Sequence, residues 1–165
     1  MSDLELRDES YDGPVGRLLV ERVQQEYVAR YGGRDETPVD PAEFAVPGGR
    51  FLVGFLDGEP VACGGIRVTG PDVAELKRMY VDPAQRGRGF ARLLLAALEE
   101  AARGLGCTRV QLETGDRQPE AIRLYQTSGY LPVEPFGHYR CTPGSHHFGK
   151  DLGTPAPGMS IWSGA

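Results

Sequence analysis

The sequence predicts an α/β fold, and three patterns along the chain lead to this prediction. Residues 73–81 are rich in β-favouring side chains, and a glycine-rich turn and an amphipathic helix follow them. A further strand pattern occupies residues 109–113, and a second helix begins at about Pro119. Upstream, the turn over residues 57–59 joins two apolar segments into an antiparallel hairpin. Strands and helices that alternate in this way form a sheet covered by helices.

Shorter patterns predict the remaining elements. Residues 4–9 alternate weakly and indicate the first strand. Residues 14–31 indicate a helix with an apolar inner stripe. The stripe consists of Leu18, Leu19, Val23 and Tyr27. Residues 32–50 are rich in glycine, proline and charge, which is typical of a long connection, and residues 40–43 within it have the capping pattern of a short helical turn. Two last strands are expected, the first of them from Tyr130.

Length and composition favour one small cytoplasmic domain. The 165 residues are enough for a single domain, which we place at 1–152, before a flexible tail over 153–165 that is rich in Gly, Pro and Ser. The formal net charge of −5 argues against general nucleic-acid binding. The acidic N-terminal segment lacks an apolar signal core, and no run approaches the roughly 18 apolar residues of a membrane span, so we expect neither secretion nor membrane insertion.

The cysteines and histidines do not predict a disulfide framework or a metal site. Cys63, Cys107 and Cys141 are odd in number and lack the spacing of a zinc site, so we expect reduced thiols. His146 and His147 are adjacent and would point to opposite faces of a strand. No metal is therefore expected.

The turn between the strand at 73–81 and the following helix has the features of a phosphate site. Gly87 and Gly89 let backbone N–H groups approach a ligand, and the helix N-terminus favours an anion. Three arginines surround the turn, namely Arg86, Arg88 and Arg92. Cations in a first helical turn oppose the helix dipole by about 0.3–1 kcal/mol each, and a bound anion would remove this conflict. The alternative is an arginine-rich helix start that is merely tolerated.

Two common phosphate motifs do not fit this turn. A P-loop requires a Gly-Lys-Ser/Thr sequence, which the chain lacks. A dinucleotide fingerprint requires a third glycine where Arg92 stands, and it follows its strand directly, whereas residues 82–86 intervene here. The turn therefore belongs to another class of phosphate site.

Residues 86–91 have the pattern R/Q-x-x-G-x-G/A, and residues 121–130 have the pattern A-x-x-L-Y-x-x-x-G-F/Y. In the strand before the turn, Leu76 lies at an even position whereas Met79 and Val81 lie at odd ones, a shift of face that is typical of a β-bulge. In this order, the three features resemble the GNAT superfamily of acyl-CoA-dependent N-acetyltransferases.

The resemblance covers residues 73–131, and the local runs 113–122 and 135–139 are similar to a small bacterial subgroup whose substrates are mostly unassigned. It implies a central, twisted, mixed β-sheet with helices on both faces and a bulged strand that splays from the next parallel strand. It also implies that acetyl-CoA is the co-substrate. The cofactor-binding residues that it implies are Met79, Tyr80, Val81, Arg86, Gly87, Arg88, Gly89, Phe90 and Ala91. One departure is Gln118, which stands where many members of the superfamily carry a cofactor-binding asparagine.

The chemistry that the resemblance implies is amine acylation. A primary amine with a reference pKa of about 10.4 must lose a proton before it attacks a thioester, and a carboxylate can accept that proton. Glu75 occupies a position where many members carry the base, and Glu113, at the end of the adjacent strand, is the rival. Tyr125 matches the tyrosine that protonates the departing thiolate, and a backbone N–H near Met79 would stabilise the thioester oxygen.

The resemblance therefore implies an N-acetyltransferase that acts on a primary amine of a small molecule or peptide, by direct attack in a ternary complex. A non-catalytic acyl-CoA-binding regulatory domain is the alternative, and dinucleotide binding is a third hypothesis. Residues 138–140 follow a turn and either border the acceptor pocket or form a surface loop. The sequence does not identify the acceptor. Homodimers are common in the superfamily, but no segment of this chain identifies a dimer interface.

Overall fold

The computed structural model describes residues 3–153, and within them the chain forms one mixed seven-stranded sheet with helices on both faces. The strands are β1 (Glu5–Asp8), β2 (Gly49–Leu56), β3 (Glu59–Gly70), β4 (Val73–Val81), β5 (Arg109–Gly115), β6 (Leu131–Pro132) and β7 (Ser145–Asp151). The α-helices are α1 (Pro14–Tyr31), α2 (Phe90–Gly104) and α3 (Pro119–Thr127), with short 3₁₀ helices at Pro41–Phe44 and Pro83–Gln85. The α/β prediction is confirmed. The predicted tail lies, from residue 154 onward, outside the described residues.

The strand order in the sheet is β1-β2-β3-β4-β5-β7-β6. The pairing of β4 with β5 is parallel and the other pairings are antiparallel. The last strand, β7, therefore enters between β5 and β6, an insertion that the sequence analysis did not predict. The strand expected from Tyr130 is reduced to Leu131–Pro132, since proline lacks the N–H that a longer strand would need.

Apolar side chains cover both faces of the sheet. On one face α2 buries its amphipathic stripe together with Tyr125 and Tyr130, and on the other α1 packs with Phe44. The predicted stripe of α1 is partly wrong, because Leu19 and Val23 are buried whereas Leu18 is 44% exposed. At 3.6 residues per turn, Leu18 lies about 100° around the helix from Leu19 and so leaves the contact face.

The predicted β-bulge lies in β4. Cys63 of β3 pairs with Tyr80, whereas Gly65 pairs with Lys77, so two residues of β4 stand opposite the single residue between them. One of the two, Arg78, has a φ of 63°. The register therefore shifts by one residue, as the change of face in the sequence predicts.

Beyond the start of β4 the two parallel strands separate. Pairing with β5 joins Val73, Ala74 and Glu75 to residues 109–111, and it extends no further along the described strands. The backbone of β4 from Leu76 onward therefore has an edge toward β5 that no strand occupies. This separation opens the sheet at its centre.

Candidate active site

A cleft of about 770 Å³ lies between the separated parts of β4 and β5. Its remaining walls come from the last turns of α1, the segment 33–36, the turn before α2, the start of α3 and residues 142–145, which lead into β7. Ligands of α/β sheets bind beyond the carboxyl ends of parallel strands, and this cleft occupies that position. It therefore is the candidate active site.

The turn before α2 offers backbone donors to the cleft. Gly87 and Gly89 have φ values of 81° and 82°, a left-handed conformation that glycine adopts without strain. Within residues 3–153, the backbone N–H groups from Gly87 to Ala91 donate no hydrogen bond, and the N-cap residue Gly89 has no side chain to cap them. Free N–H groups at the positive end of a helix are suited to bind a phosphate.

The arginines of this segment have protein partners. Arg86 donates to the Val81 carbonyl at 2.9 Å and forms an ion pair with Glu26 of α1. Arg88 donates to the Gln85 side chain at 2.6 Å. Arg92, in the first turn of α2, donates to the Ser128 and Thr127 hydroxyl groups at 3.0 and 2.9 Å. These hydrogen bonds join the start of α2 to the end of α3. Each arginine of this segment therefore has a protein partner in the structure.

Most of the predicted cofactor residues line the cleft. Those that do are Met79, Tyr80, Val81, Arg86, Gly87, Gly89, Phe90 and Ala91. Arg88 is the exception, because its guanidinium lies 4.8 Å over the Phe90 ring and is not part of the cleft wall. Gln118 also lines the cleft, where its amide donates to the Tyr31 hydroxyl at 3.3 Å.

The structure does not bring Glu75 into the cleft. Its side chain is buried, and the Glu75 carboxylate accepts a hydrogen bond from Arg67 of β3 at 2.9 Å. Arg67 in turn contacts the Glu43 carboxylate and the Pro38 carbonyl, both at 3.0 Å. A carboxylate that is held by a buried arginine on the far side of β4 is poorly placed to accept a proton from a ligand in the cleft.

Glu113, the rival candidate, lies in the cleft wall. Burial raises the pKa of Glu113 to about 7; the Lys77 cation opposes this rise, and the Asp35 and Glu75 carboxylates add to it. Within residues 3–153 the Glu113 carboxylate makes neither a hydrogen bond nor an ion pair. A carboxyl group that is free to react and that exchanges its proton near neutral pH has the properties of a general base.

Tyr125 lies on α3 and also faces the cleft. Its ring packs edge-on against Tyr130, with the ring centroids 5.7 Å apart. Burial raises the pKa of Tyr125, and the nearby Glu113 carboxylate raises it further, so the hydroxyl keeps its proton at neutral pH. The structure therefore places a proton donor and a titratable carboxyl in one cleft.

The last turn of α1 is bound to the connection between β5 and α3. Arg30 donates to the Arg117 carbonyl at 2.7 Å, and Arg117 donates to the Arg30 carbonyl at 2.9 Å. The Tyr31 hydroxyl lies over Gly115, where a Cβ atom would be 2.1 Å from the tyrosine oxygen. A side chain at this position of β5 would have to displace the Tyr31 ring, and the contact closes one side of the cleft.

Sequence reasoning missed one residue of the cleft that has several partners. Asp35, from the connection after α1, forms ion pairs with Lys77 at 2.9 Å and with Arg78, and it accepts a hydrogen bond from the Tyr139 hydroxyl at 2.9 Å. Tyr139 also lines the cleft, whereas its neighbours His138 and Arg140 are exposed and do not. The only sequence signal for Asp35 was a charged residue within a predicted loop.

No group of three or more His, Cys, Asp or Glu side chains in residues 3–153 is arranged to hold a metal ion. The three cysteines are free: Cys63 and Cys107 are buried, and Cys141 is exposed. Among the described helices, none has the length and hydropathy needed to cross a membrane.

A bulged strand, two diverging parallel strands and free N–H groups at a helix start are the features that the resemblance to acyl-CoA-dependent N-acetyltransferases implies. The model of the acetyltransferase (GNAT) family matches residues 19–130. The chain therefore belongs to the GNAT family, has its fold and is an acyltransferase.

Individual relatives agree with this assignment. The chain is 36% identical over 135 residues to an IAA acetyltransferase of Azospirillum brasilense, a match that covers 81% of this chain and 88% of that protein. It is 31% identical, with a TM-score of 0.76, to a crystal structure from Klebsiella pneumoniae provisionally described as an acyl-CoA N-acyltransferase; coverage is 91% of this chain and 98% of the other. The PaiA N-acetyltransferase of Thermoplasma acidophilum, solved with coenzyme A, shares the fold at 15% identity and a TM-score of 0.67 over 90% of this chain and 99% of that one.

Proposed function

We propose that this protein transfers the acetyl group of acetyl-CoA to a primary amine of a small molecule or peptide, by direct attack in a ternary complex. The observation that carries the proposal is the position of Glu113, a carboxyl group with a pKa raised to about 7, in the cleft between the separated strands. The family uses acetyl-CoA, and the amine acceptor supplies the nucleophile.

The backbone of the turn before α2 is proposed to bind the pyrophosphate of acetyl-CoA. The free N–H groups from Gly87 to Ala91 support this role, as does the positive end of α2. The pantetheine arm then lies along the open edge of β4, where Met79, Tyr80 and Val81 line the cleft. Arg86 would exchange its ion pair with Glu26 for the phosphate.

Glu113 is proposed as the general base, in place of Glu75. The proton of the acceptor ammonium passes to the Glu113 carboxylate, directly or through a water molecule, and the free amine attacks the thioester carbon. Two features support this assignment: Glu113 lines the cleft without a partner within residues 3–153, whereas the Glu75 carboxylate is held by Arg67.

Tyr125 is proposed as the general acid, and the Met79 N–H as the donor to the developing oxyanion. When the tetrahedral intermediate collapses, the C–S bond breaks and the Tyr125 hydroxyl gives its proton to the departing thiolate. The nitrogen of the product loses its surplus proton to water, and the Tyr125 phenolate regains a proton from water. The Tyr125 hydroxyl, whose pKa is already about 10 in water, is protonated at neutral pH and so holds the proton that the thiolate receives. The bulge supports the oxyanion role because it removes this part of β4 from pairing with β5.

The test combines binding with turnover. Calorimetry with acetyl-CoA measures binding, and release of free thiol in the presence of a panel of primary amines measures transfer. IAA, which appears in the name of the Azospirillum relative, is tested as a separate arm outside the amine panel. Initial rates at varied concentrations of both substrates should give intersecting reciprocal plots, as a ternary complex requires, whereas parallel plots would indicate a covalent acyl-enzyme. Binding without thiol release from any amine would instead support the non-catalytic alternative.

A cytoplasmic location is part of the proposal, since free thiols such as Cys63 and the exposed Cys141 fit a reducing compartment. A homodimer stays a prediction, and so does the absence of nucleic-acid and membrane partners.

A further inference from the structure

Asp35 is attached firmly to the rest of the molecule, although it lies in the connection after α1. Its backbone N–H donates to the side-chain oxygen of the buried Gln24 at 2.8 Å, and its side chain accepts hydrogen bonds from the N–H and the hydroxyl of Thr37 at 2.9 and 2.7 Å. These contacts fix the position of the carboxylate relative to α1. Asp35 is therefore a fixed partner for the β4 side chains that it contacts.

The residues that Asp35 holds belong to the bulged segment of β4. Arg78 is 4% exposed, and its φ of 63° is a conformation that residues with a side chain rarely adopt. Its guanidinium is bound by the Asp35 carboxylate and by the Tyr11 hydroxyl at 3.2 Å. Lys77, which donates to the same carboxylate oxygen as Arg78, lines the cleft. The ion pairs thus stabilise a strained backbone at the point where β4 leaves β5.

We propose that Asp35 is a positioning residue for the acyl-transfer site, which fixes the bulged segment from Lys77 to Met79 and holds the Lys77 ammonium in the cleft wall. The inference rests on the proposed function for the identity of the reaction. The Asp35 carboxylate also accepts a hydrogen bond from the Tyr139 hydroxyl, which connects the loop after β6 to the same side chain. One carboxylate therefore connects three segments that form the cleft wall.

Asp35 and Lys77 shift the pKa of Glu113 in opposite directions. The Asp35 carboxylate raises the pKa of Glu113 and the Lys77 cation lowers it. Several other groups act electrostatically on Glu113 from the elements around it. They are Tyr27 and Tyr31 of α1, Glu75 of β4, Tyr125 of α3 and Tyr139. Tyrosines near neutral pH are uncharged, so Asp35, Lys77 and Glu75 are the charges that set the balance.

The test is an NMR titration of the Glu113 side-chain carboxyl carbon, identified by its absence from the spectrum of Glu113→Gln. Asp35→Asn should lower the pKa of Glu113, and Lys77→Met should raise it. Asp8→Asn is the matched control, since Asp8 forms an exposed ion pair with Arg50 at the β1 edge of the sheet. An unchanged pKa of Glu113 in Asp35→Asn would overturn the proposal.

Turnover provides the second readout. Asp35→Asn should lower kcat by roughly 10- to 100-fold through misplacement of the bulged segment, while acetyl-CoA affinity changes less than about twofold. If the parent transfers no acetyl group to any amine, the proposed function fails, but the titration still decides the role of Asp35. The two failures are therefore distinguishable.

Loss of Asp35 leaves the Arg78 cation buried beside Tyr11 alone, which can unfold the variant. The double variant Asp35→Asn/Arg78→Met removes both charges and serves as the second test. Restored thermal stability with a low kcat supports the proposal. If stability and kcat both return to the parent values, Asp35 only neutralises Arg78 and the proposal is overturned.

Discussion

Replacement of Glu113 by glutamine removes the proposed base with little change in side-chain volume. An amide cannot accept the amine proton, so kcat at pH 8 should fall by roughly 10²–10⁴-fold. Affinity for acetyl-CoA should stay near that of the parent, because the proposed phosphate donors belong to the backbone from Gly87 to Ala91. The assay is thiol release at saturating donor and acceptor.

The pKa of about 7 also sets the pH dependence of the parent. A group with this pKa is about one-tenth ionised at pH 6 and about nine-tenths ionised at pH 8. The parent kcat/KM, which reports the ionisation of the free enzyme, should therefore rise roughly tenfold across this interval. Glu113→Gln should lack this rise. Glu75→Gln is the informative comparison, and it should keep the rise, since the Glu75 carboxylate is bound to Arg67.

Stability provides an independent check with a defined sign. The folded-state pKa of Glu113, about 7, is above its ordinary value of 4.5, so the fold holds this proton more tightly than the unfolded chain does. The resulting stabilisation is complete below about pH 4.5 and is lost as the pH rises through about 7. The melting temperature of Glu113→Gln should therefore be above that of the parent at pH 8 and converge with it near pH 4.5.

The assignment of Glu113 as the general base would be refuted by two results together: near-parent turnover in Glu113→Gln, and loss of the pH-dependent rise in Glu75→Gln.

Three further variants test the cleft. Tyr125→Phe should keep the ring packing on Tyr130 but lower kcat by roughly 10²–10⁴-fold, and a donor with a more acidic thiol should recover part of the loss; full activity with acetyl-CoA would exclude the general acid. Gly89→Asp should weaken acetyl-CoA binding by roughly tenfold or more relative to Gly89→Ala, because both variants share the backbone strain at φ 82° and only the first adds a negative charge. Equal affinities of the two variants by calorimetry would mean that the phosphate binds elsewhere. Glu26→Gln should release Arg86 and tighten acetyl-CoA binding by roughly two- to fivefold, whereas weaker binding would mean that the ion pair positions Arg86.

The elements that local patterns predict were largely found. The parity change between Leu76 and Met79 predicted the bulge because side chains alternate along a strand, and a shift of face requires an extra residue. The acidic cap and proline at 40–41 predicted the short helix at Pro41–Phe44 for an equally local reason, since the Asp40 side chain accepts a hydrogen bond from the Ala42 N–H. Glycines in the turn before α2 predicted the left-handed backbone there.

What local patterns could not supply were the long-range partners. Glu75 and Glu113 both lie on central strands. Their environments differ because Arg67 of β3 holds the Glu75 carboxylate, whereas Glu113 lines the cleft. Asp35 meets Lys77 across 42 positions of the chain, so nothing in its own segment indicates the ion pair. The insertion of β7 between β5 and β6 is likewise set by tertiary pairing.

The most direct test of the central claim follows both products of one reaction. Purified protein is incubated with acetyl-CoA and an amine that supports thiol release, and free thiol and acetylated amine are quantified in the same sample over time. The account predicts that the two appear in equal amounts, that neither forms without the amine, and that Glu113→Gln slows both to the same extent. Thiol release that is equally fast without an amine, or binding of acetyl-CoA with no acetylated product from any amine, would contradict it.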